Sequence, residues 1–369
     1  MASLVLYFLG QPETRAFLTL FLSIIILPLS AFSAPLIPHF IWTLVRSSYL
    51  FIGLYIVAVC CLVRWIARGG QYDALKTKDL SGKTYLITGS AGGIGKQTAL
   101  ELSKLGAKVV LFARPGNLQQ TINDVKKVAR DPKLVSGYPI DLSDLLSIKT
   151  GIEQYKSSEG EDAPITALIN NAGVAACPHS LTKDGFEMQM GTNHFGHFYL
   201  TKLLLPQLLK SKSRVVNVSS LAHVMQQVAC TPETYAQQVN KQTYKPWNAY
   251  SMSKTANIYF TQELHRRFGA QGLKAYVLHP GGVDTGLARH LFFSQLLFAP
   301  LRMLLFKTQL EGAQTNLFCA VSDDVISGKY YSDCHETELG NPHALNSERA
   351  REWWEYSEKM VSEKIKERQ

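Results

Sequence analysis

The chain has 369 residues, of which 46% are hydrophobic and 18% charged, a balance that supports a packed core and excludes general disorder. Its net charge of +9 is scattered and no aromatic-plus-basic cluster recurs, which argues against nucleic acid and for anionic lipid headgroups as a partner. None of the six cysteines lies in a C-x-x-C pair, so neither a zinc site nor a disulfide framework is expected, and no other metal site stands out.

The first seventy positions hold two apolar segments, 16–42 and 47–66, separated by Pro35, Pro38 and the lone charge Arg46. A bilayer-crossing helix takes about 20 residues, so the first segment qualifies and the second is borderline. The readings are a pair of spanning helices or a hairpin dipping into one leaflet. A cleaved leader over the first thirty-three residues is a third reading, which the long apolar stretch and Pro35 argue against. Arg64, Arg68, Lys76 and Lys78 follow the second segment and place the next domain on the cytosolic side. The region 1–70 is therefore expected to be a membrane anchor, on the endoplasmic reticulum or a lipid droplet. Cys60 and Cys61 lie in the second segment, where palmitoylation is a weak further idea.

From Leu80 short apolar runs alternate with helix-like stretches. TYLITG precedes KQTALELSKLG, and KVVLFAR precedes a polar helix through Val128. ALINNAG, a helix from about Phe195 to Leu209, RVVNVSS, a helix containing Ala249 to Phe268, and KAYVLHPG complete the series. Alternation of this kind predicts right-handed βαβ units, and so an α/β, Rossmann-type doubly wound parallel sheet covered on both faces. The domain is expected over 80–333, and the charged remainder, 334–369, as a helical tail on the surface.

TGSAGGIG at 88–95 follows a strand-like run and opens a helix-like one. Gly89, Gly93 and Gly95 permit a tight turn without side chains, which lets a pyrophosphate reach the helix N-terminus. The next strand ends at Ala113-Arg114, where an NAD site usually offers a carboxylate to the ribose. Here Arg114 stands instead, and its planar fork suits a 2′-phosphate, so NADP(H) is the expected cofactor. Pro115 could redirect that loop.

Tyr250 and Lys254 are four apart in YSMSK, and so project from one helix face. An ammonium beside a phenol lowers its pKa toward working pH, fitting the tyrosine to exchange a proton with an alcohol or carbonyl oxygen. Alone, such a pair is common by chance.

TGxxxGIG, NNAG at 170–173, NVSS at 217–220, YSMSK and HPGGVDT at 279–285 stand in the order found in the short-chain dehydrogenase/reductase family, which the chain resembles from about Leu80 to Asp333. NHFGHFYLT at 193–201 and the run from Lys307 to Cys334 resemble its retinol dehydrogenase branch more closely. The resemblance implies roles at matching positions. Ser220 would hydrogen-bond the substrate oxygen, Tyr250 would be the general acid/base, and Lys254 would hold the nicotinamide ribose and tune Tyr250. Asn193 would hold the water linking Lys254 to a proton relay. Ser90 and Ile94 in the glycine turn, Asp141 and Leu142 near the adenine, and Asn171, Ala172 and Gly173 would line the cofactor, with Pro280, Gly281, Val283 and Thr285 near the nicotinamide. Relative to many members the interval from Ser220 to Tyr250 is long, and polar residues from Thr231 to Tyr244 fill it. His194, His223 and His279 are read as packing residues, and the sequon at Asn217, in an expected buried strand, carries no weight.

After Thr285, GLARHLFFSQLLFAPLRMLLFKT crowds apolar residues around Arg289, Arg302 and Lys307. That pattern suits a greasy lid at a membrane interface, admitting a lipophilic substrate such as a retinoid, steroid, fatty aldehyde or isoprenoid. A buried helix pair or a homodimer contact is the bland alternative. Two rival functions remain: a steroid or other ketone reductase of the same fold, and a membrane or lipid-droplet recruitment protein with little catalysis.

Overall fold

The β-branched and aromatic runs TYLIT and KVVLFA become fully extended, and their neighbours alternate strictly with helices. The computed structural model describes residues 12–21, 49–226, 229–284 and 299–368. Helices α1 (Pro12–Phe21) and α2 (Tyr49–Ala67) precede the sheet. Then follow β1 (Thr84–Thr88), α3 (Gly93–Lys104), β2 (Lys108–Ala113), α4 (Pro115–Val128), β3 (Val135–Pro139), α5 (Leu145–Glu159) and β4 (Ala167–Asn170). The second half runs α6 (Gly196–Lys210), β5 (Arg214–Val218), α7 (Pro232–Val239), α8 (Pro246–Phe268) and β6 (Lys274–His279). It ends with α9 (Ala299–Leu305), α10 (Gln309–Val321), β7 (Tyr330–Ser332), β8 (His335–Glu336) and α11 (Ser347–Arg368).

The sheet order is β3-β2-β1-β4-β5-β6-β7-β8, parallel throughout except for the antiparallel edge strand β8. This is the doubly wound arrangement expected, and the reversal of direction between β1 and β4 opens a crevice at the strands' carboxyl ends. Strand periodicity decides the two cores. Tyr85 and Ile87 of β1 join the cluster beneath α3, α4 and α10, while Leu86 faces the cluster formed with α5, α6, α8 and α11.

One feature departs from the sequence-based expectations. The tail is helical, but α11 buries Trp353 and Trp354 in the main core. Their aromatic area outweighs the charged residues around them, so the helix docks and does not lie free on the surface. The polar interval after Ser220 contains α7, whose Tyr235 is buried and accepts the Glu187 backbone N–H at 3.2 Å. Among the described residues, no helix is long and apolar enough to cross a membrane.

Of the two predicted anchor segments, 16–42 lies mostly outside the described residues, whereas 47–66 overlaps α2. Helix α2 buries Val59, Val63 and Ala67 against Leu20, Leu304 and Leu305, and Arg64 pairs with Glu311 at the start of α10. Tyr55, Ile56, Val57, Leu62 and Trp65 remain exposed on its other side. The greasy stretch predicted as a lid, together with Thr285 and Arg289, lies largely outside the described residues; Arg302 pairs with Asp284.

Candidate active site

The chain turns from β1 into α3 through Gly89 and Gly93, both in the left-handed region at φ +66° and +55°, where a side chain would be strained. Gly95 is demanded by space: a Cβ there would lie 2.6 Å from the Gly89 carbonyl and 2.5 Å from Asn171 Nδ2. The bare turn opens into a cavity of about 740 Å³. Of the expected cofactor residues, Gly89, Gly93, Ile94, Arg114, Asp141, Leu142, Asn171, Ala172 and Gly173 line it.

Ser90, Gly95, Tyr250, Lys254, Pro280, Gly281 and Val283 are not among its lining residues. The Ser90 side chain is buried and its hydroxyl donates to the Phe112 carbonyl at 3.3 Å, so it fastens the turn to β2. Arg114 immediately precedes α4, with Pro115 as the first helical residue. The residue before a proline is held extended, and Arg114 at φ −63°, ψ 148° is exposed on the cavity wall. Asp141 accepts the Ser143 N–H at 2.9 Å and its hydroxyl at 2.7 Å through Oδ1, leaving Oδ2 for another donor.

The NNAG loop is held from below by Thr88, whose Oγ1 accepts the N–H groups of Asn171 at 2.9 Å and Ala172 at 3.1 Å. The same oxygen lies 2.8 Å from His197 Nε2, and His197 Nδ1 lies 2.9 Å from the Asn193 carbonyl. Neither Thr88 nor His197 was singled out from sequence. Its place at the end of an apolar run gives Thr88 no distinguishing signal, and His197 is one histidine among ten.

Asn193 sits in a π-helical turn, Gly191–Phe195, that leads into α6. Such widened turns re-aim side chains. Its amide pins two segments together: Nδ2 donates to the Val174 carbonyl and to Ser253 Oγ, both at 2.9 Å, and Oδ1 accepts the Val174 N–H at 2.8 Å. Gly173 fits beneath this amide because it has no Cβ; one would stand 3.1 Å from Asn193 Oδ1 and 3.5 Å from Lys254 Nζ.

Helix α8 brings Tyr250 and Lys254 to the same buried region. Tyr250 packs with Ala175 and Ala222, and the Ser220 hydroxyl hydrogen-bonds its phenol. Lys254 Nζ donates to the Val218 carbonyl at 3.0 Å and stands 5.7 Å from the centre of the Tyr250 ring. Burial raises the pKa of Tyr250, and the Ser220 hydrogen bond only partly opposes it. The expected lowering by Lys254 is not what this arrangement produces, because loss of hydration outweighs a charge directed at a carbonyl. Burial also lowers Lys254 to about 8. Ser219 and Asn257 brace the same place, Ser219 through the Lys254 carbonyl at 2.8 Å and Asn257 through the Val218 carbonyl at 3.2 Å. Trp247 stands edge-on to Tyr250 with ring centres 6.1 Å apart, and Trp247 is itself exposed.

Pro280 and Gly281 follow β6, which lies beside β5, the strand that leads to Ser220; Gly281 is at φ +91°. Val283 pairs with Lys307 in an isolated parallel bridge, and both Val283 and Ile94 crowd against Gly312 of α10. His194, His223 and His279 are buried, as their reading as packing residues requires, and burial holds His194 down at about 3 and His223 at about 4.

The arrangement fits a dinucleotide. A side-chain-free turn faces the cavity at a helix N-terminus, an acceptor is left on Asp141, and a cation stands at the far wall. A phenol and a hydroxyl meet beside an ammonium that borders Gly173, as proton exchange with an alcohol or carbonyl requires.

Comparison with known proteins agrees with this geometry. The family model for short chain dehydrogenase matches residues 83–232. The chain is 41% identical over 300 residues to Retinol dehydrogenase 14 of Mus musculus, an alignment covering 76% of this chain and 86% of that protein. It is 40% identical over 284 residues to Retinol dehydrogenase 11 of Homo sapiens, with 76% and 86% covered. Among solved structures, a putative uncharacterized protein from Mycobacterium paratuberculosis superimposes with a TM-score of 0.60 at 31% identity, over 79% of this chain and 98% of the other.

Proposed function

The chain belongs to the short-chain dehydrogenase/reductase family, on its retinol dehydrogenase-like side, and from that membership we propose that it transfers a hydride between NADP(H) and a lipophilic alcohol or carbonyl. The observation that carries the reading is the meeting of Ser220, Tyr250 and Lys254 at α8, with Lys254 Nζ beside Gly173, a residue that lines a cavity suited to a dinucleotide. The nicotinamide supplies the hydride.

In the reductive direction Tyr250, kept protonated by burial, gives its phenolic proton to the substrate oxygen, which Ser220 holds by a hydrogen bond. Lys254 would hold the ribose and, with its charge given a second partner, would favour the phenolate that forms. Asn193 keeps one acceptor site on Oδ1 toward Gly173 and Lys254, suited to hold the water that returns a proton to Tyr250. Arg114, with no ion-pair partner among the described residues and no acid beside it at the end of β2, supports NADP(H) over NAD(H).

The lipophilic substrate class is supported by the relatives' names and by the exposed Trp247 beside Tyr250. Attachment to a membrane, with the catalytic domain toward the cytosol, is supported by the apolar segments before residue 70 and by the exposed apolar side of α2. The test is oxidation of NADPH and NADH by detergent-solubilised full-length protein with all-trans-retinal, steroid ketones and long-chain aldehydes. The expected result is turnover with NADPH that falls by about 100-fold or more in Tyr250→Phe, the scale of a lost general acid. Tight NADPH binding without turnover on any carbonyl would sink the catalytic reading and favour recruitment.

A further inference from the structure

Lys307 and Asp333 form an ion pair with the lysine side chain 0% and the aspartate side chain 9% exposed. The pair lies under a loop whose chemistry is already spoken for. Lys307 Nζ reaches the Pro280 carbonyl at 3.4 Å, and its stem fills the space beneath Gly281, where a Cβ would stand 2.6 Å from it. The backbone repeats the link, since the Lys307 N–H donates to Gly282 at 2.8 Å and the Asp284 N–H donates to Lys307 at 3.0 Å. One residue before the loop, His279 Nδ1 accepts the Leu221 N–H at 3.2 Å, so the loop touches the segment immediately after Ser220.

The other side of the pair meets the chain leaving α2. The Gly70 N–H donates to Asp333 Oδ1 at 3.4 Å, and a Cβ on Gly70 would lie 1.8 Å from the Asp333 carbonyl. The Tyr72 N–H is held by Gln314 Oε1 at 3.1 Å, and Arg64 pairs with Glu311 on the same helix. The linker is thus fastened on both sides of the ion pair.

A buried ion pair adds little net stability over apolar side chains of the same size, because desolvating two charges offsets their attraction. What it supplies is a single permitted geometry. We propose that Lys307 and Asp333 are positioning residues: a buried strut that holds the Pro280–Val283 loop in register with Ser220 and ties it to the Gly69–Gly70 linker behind helix α2. Its kinetic consequence rests on the NADP(H)-dependent reading given above. Its structural consequence does not.

The test is the double variant K307M/D333N in the full-length protein. Methionine keeps the length of the lysine stem, and asparagine tolerates the left-handed backbone of Asp333, at φ +52°. The neutral pair is expected to melt near the wild-type temperature. Its NADPH-dependent kcat should fall by about 100-fold, the scale of a displaced reacting geometry, with KM for the carbonyl unchanged. Hydrogen exchange, which requires no turnover, should quicken at amides 219–223 and 281–284 and nowhere in β1 to β4. Gly70→Ala should quicken the same amides from the linker side. A folded double variant with wild-type exchange at those amides would overturn the strut whatever the enzyme's activity. A double variant that fails to fold would also overturn it, by assigning the pair to stability. If exchange responds as expected but the wild type neither binds nor oxidises NADPH, the strut stands and the functional reading falls.

Discussion

Thr88 Oγ1 and His197 Nε2 stand 2.8 Å apart, and His197 Nδ1 faces the Asn193 carbonyl, which can only accept and so fixes where the proton lies on the ring. The Thr88 oxygen accepts the Asn171 and Ala172 N–H groups, and its own proton is shared between Nε2 at 2.8 Å and the Ile169 carbonyl at 3.4 Å. The ring proton then sits on Nδ1 and donates to the Asn193 carbonyl at 2.9 Å. Burial lowers His197 to about 4, which keeps the ring neutral and this direction of donation intact at neutral pH. One hydroxyl at the end of β1 therefore orders the NNAG loop and the π-helical turn together.

Thr88→Val keeps the shape but leaves the Ala172 N–H and a ring nitrogen without a partner, while the Asn171 N–H keeps the Ile169 carbonyl at 3.0 Å. At about 1–3 kcal/mol for a buried unsatisfied group, and with the loop able to relax, a loss of about 2 kcal/mol is expected in urea unfolding. Thr88→Ser retains the hydroxyl and should unfold close to wild type.

Arg114→Asp should exchange one cofactor preference for the other. Losing the proposed charge-assisted contact to the 2′-phosphate should weaken NADPH by about 10- to 100-fold, while a carboxylate at the end of β2 should favour NADH. Fluorescence titration with both cofactors reads the change. Unaltered NADPH affinity would remove Arg114 from the site.

The pH profile of reduction follows from Lys254. A lysine held at about 8 is charged below that pH and neutral above it, so ribose binding weakens as pH rises through about 8. Tyr250, raised by burial, stays protonated over the same range and adds no second limb. The kcat/KM for NADPH should be level near neutrality and decline above about pH 8. Lys254→Arg, always charged, should move the decline to higher pH at a lower plateau.

Trp353 is 1% exposed, and its indole N–H donates to His194 Nε2 at 3.0 Å. Trp353→Ala should cost about 3–5 kcal/mol, since it combines a large cavity with a lost hydrogen bond. Trp353→Phe should cost less. Neither should move KM for NADPH in the protein that remains folded, because α11 packs away from the cavity.

Residues whose role is imposed by neighbours along the chain were legible in the sequence. The glycines of the turn, the i, i+4 pair Tyr250 and Lys254, and Arg114 after β2 act through local geometry, which spacing reports directly. The alternation of strands and helices likewise determined the sheet, because periodicity decides which face of each element is apolar. Tertiary structure alone decided the rest. Thr88 and His197 meet across 109 positions, Lys307 and Asp333 pair beneath a loop contributed by β6, and Trp353 reaches His194 across 159. Tyr250 is raised by burial where the local charge pattern pointed the other way. Burial and long-range pairing depend on how the elements pack, and no local spacing encodes the dielectric in which a side chain ends.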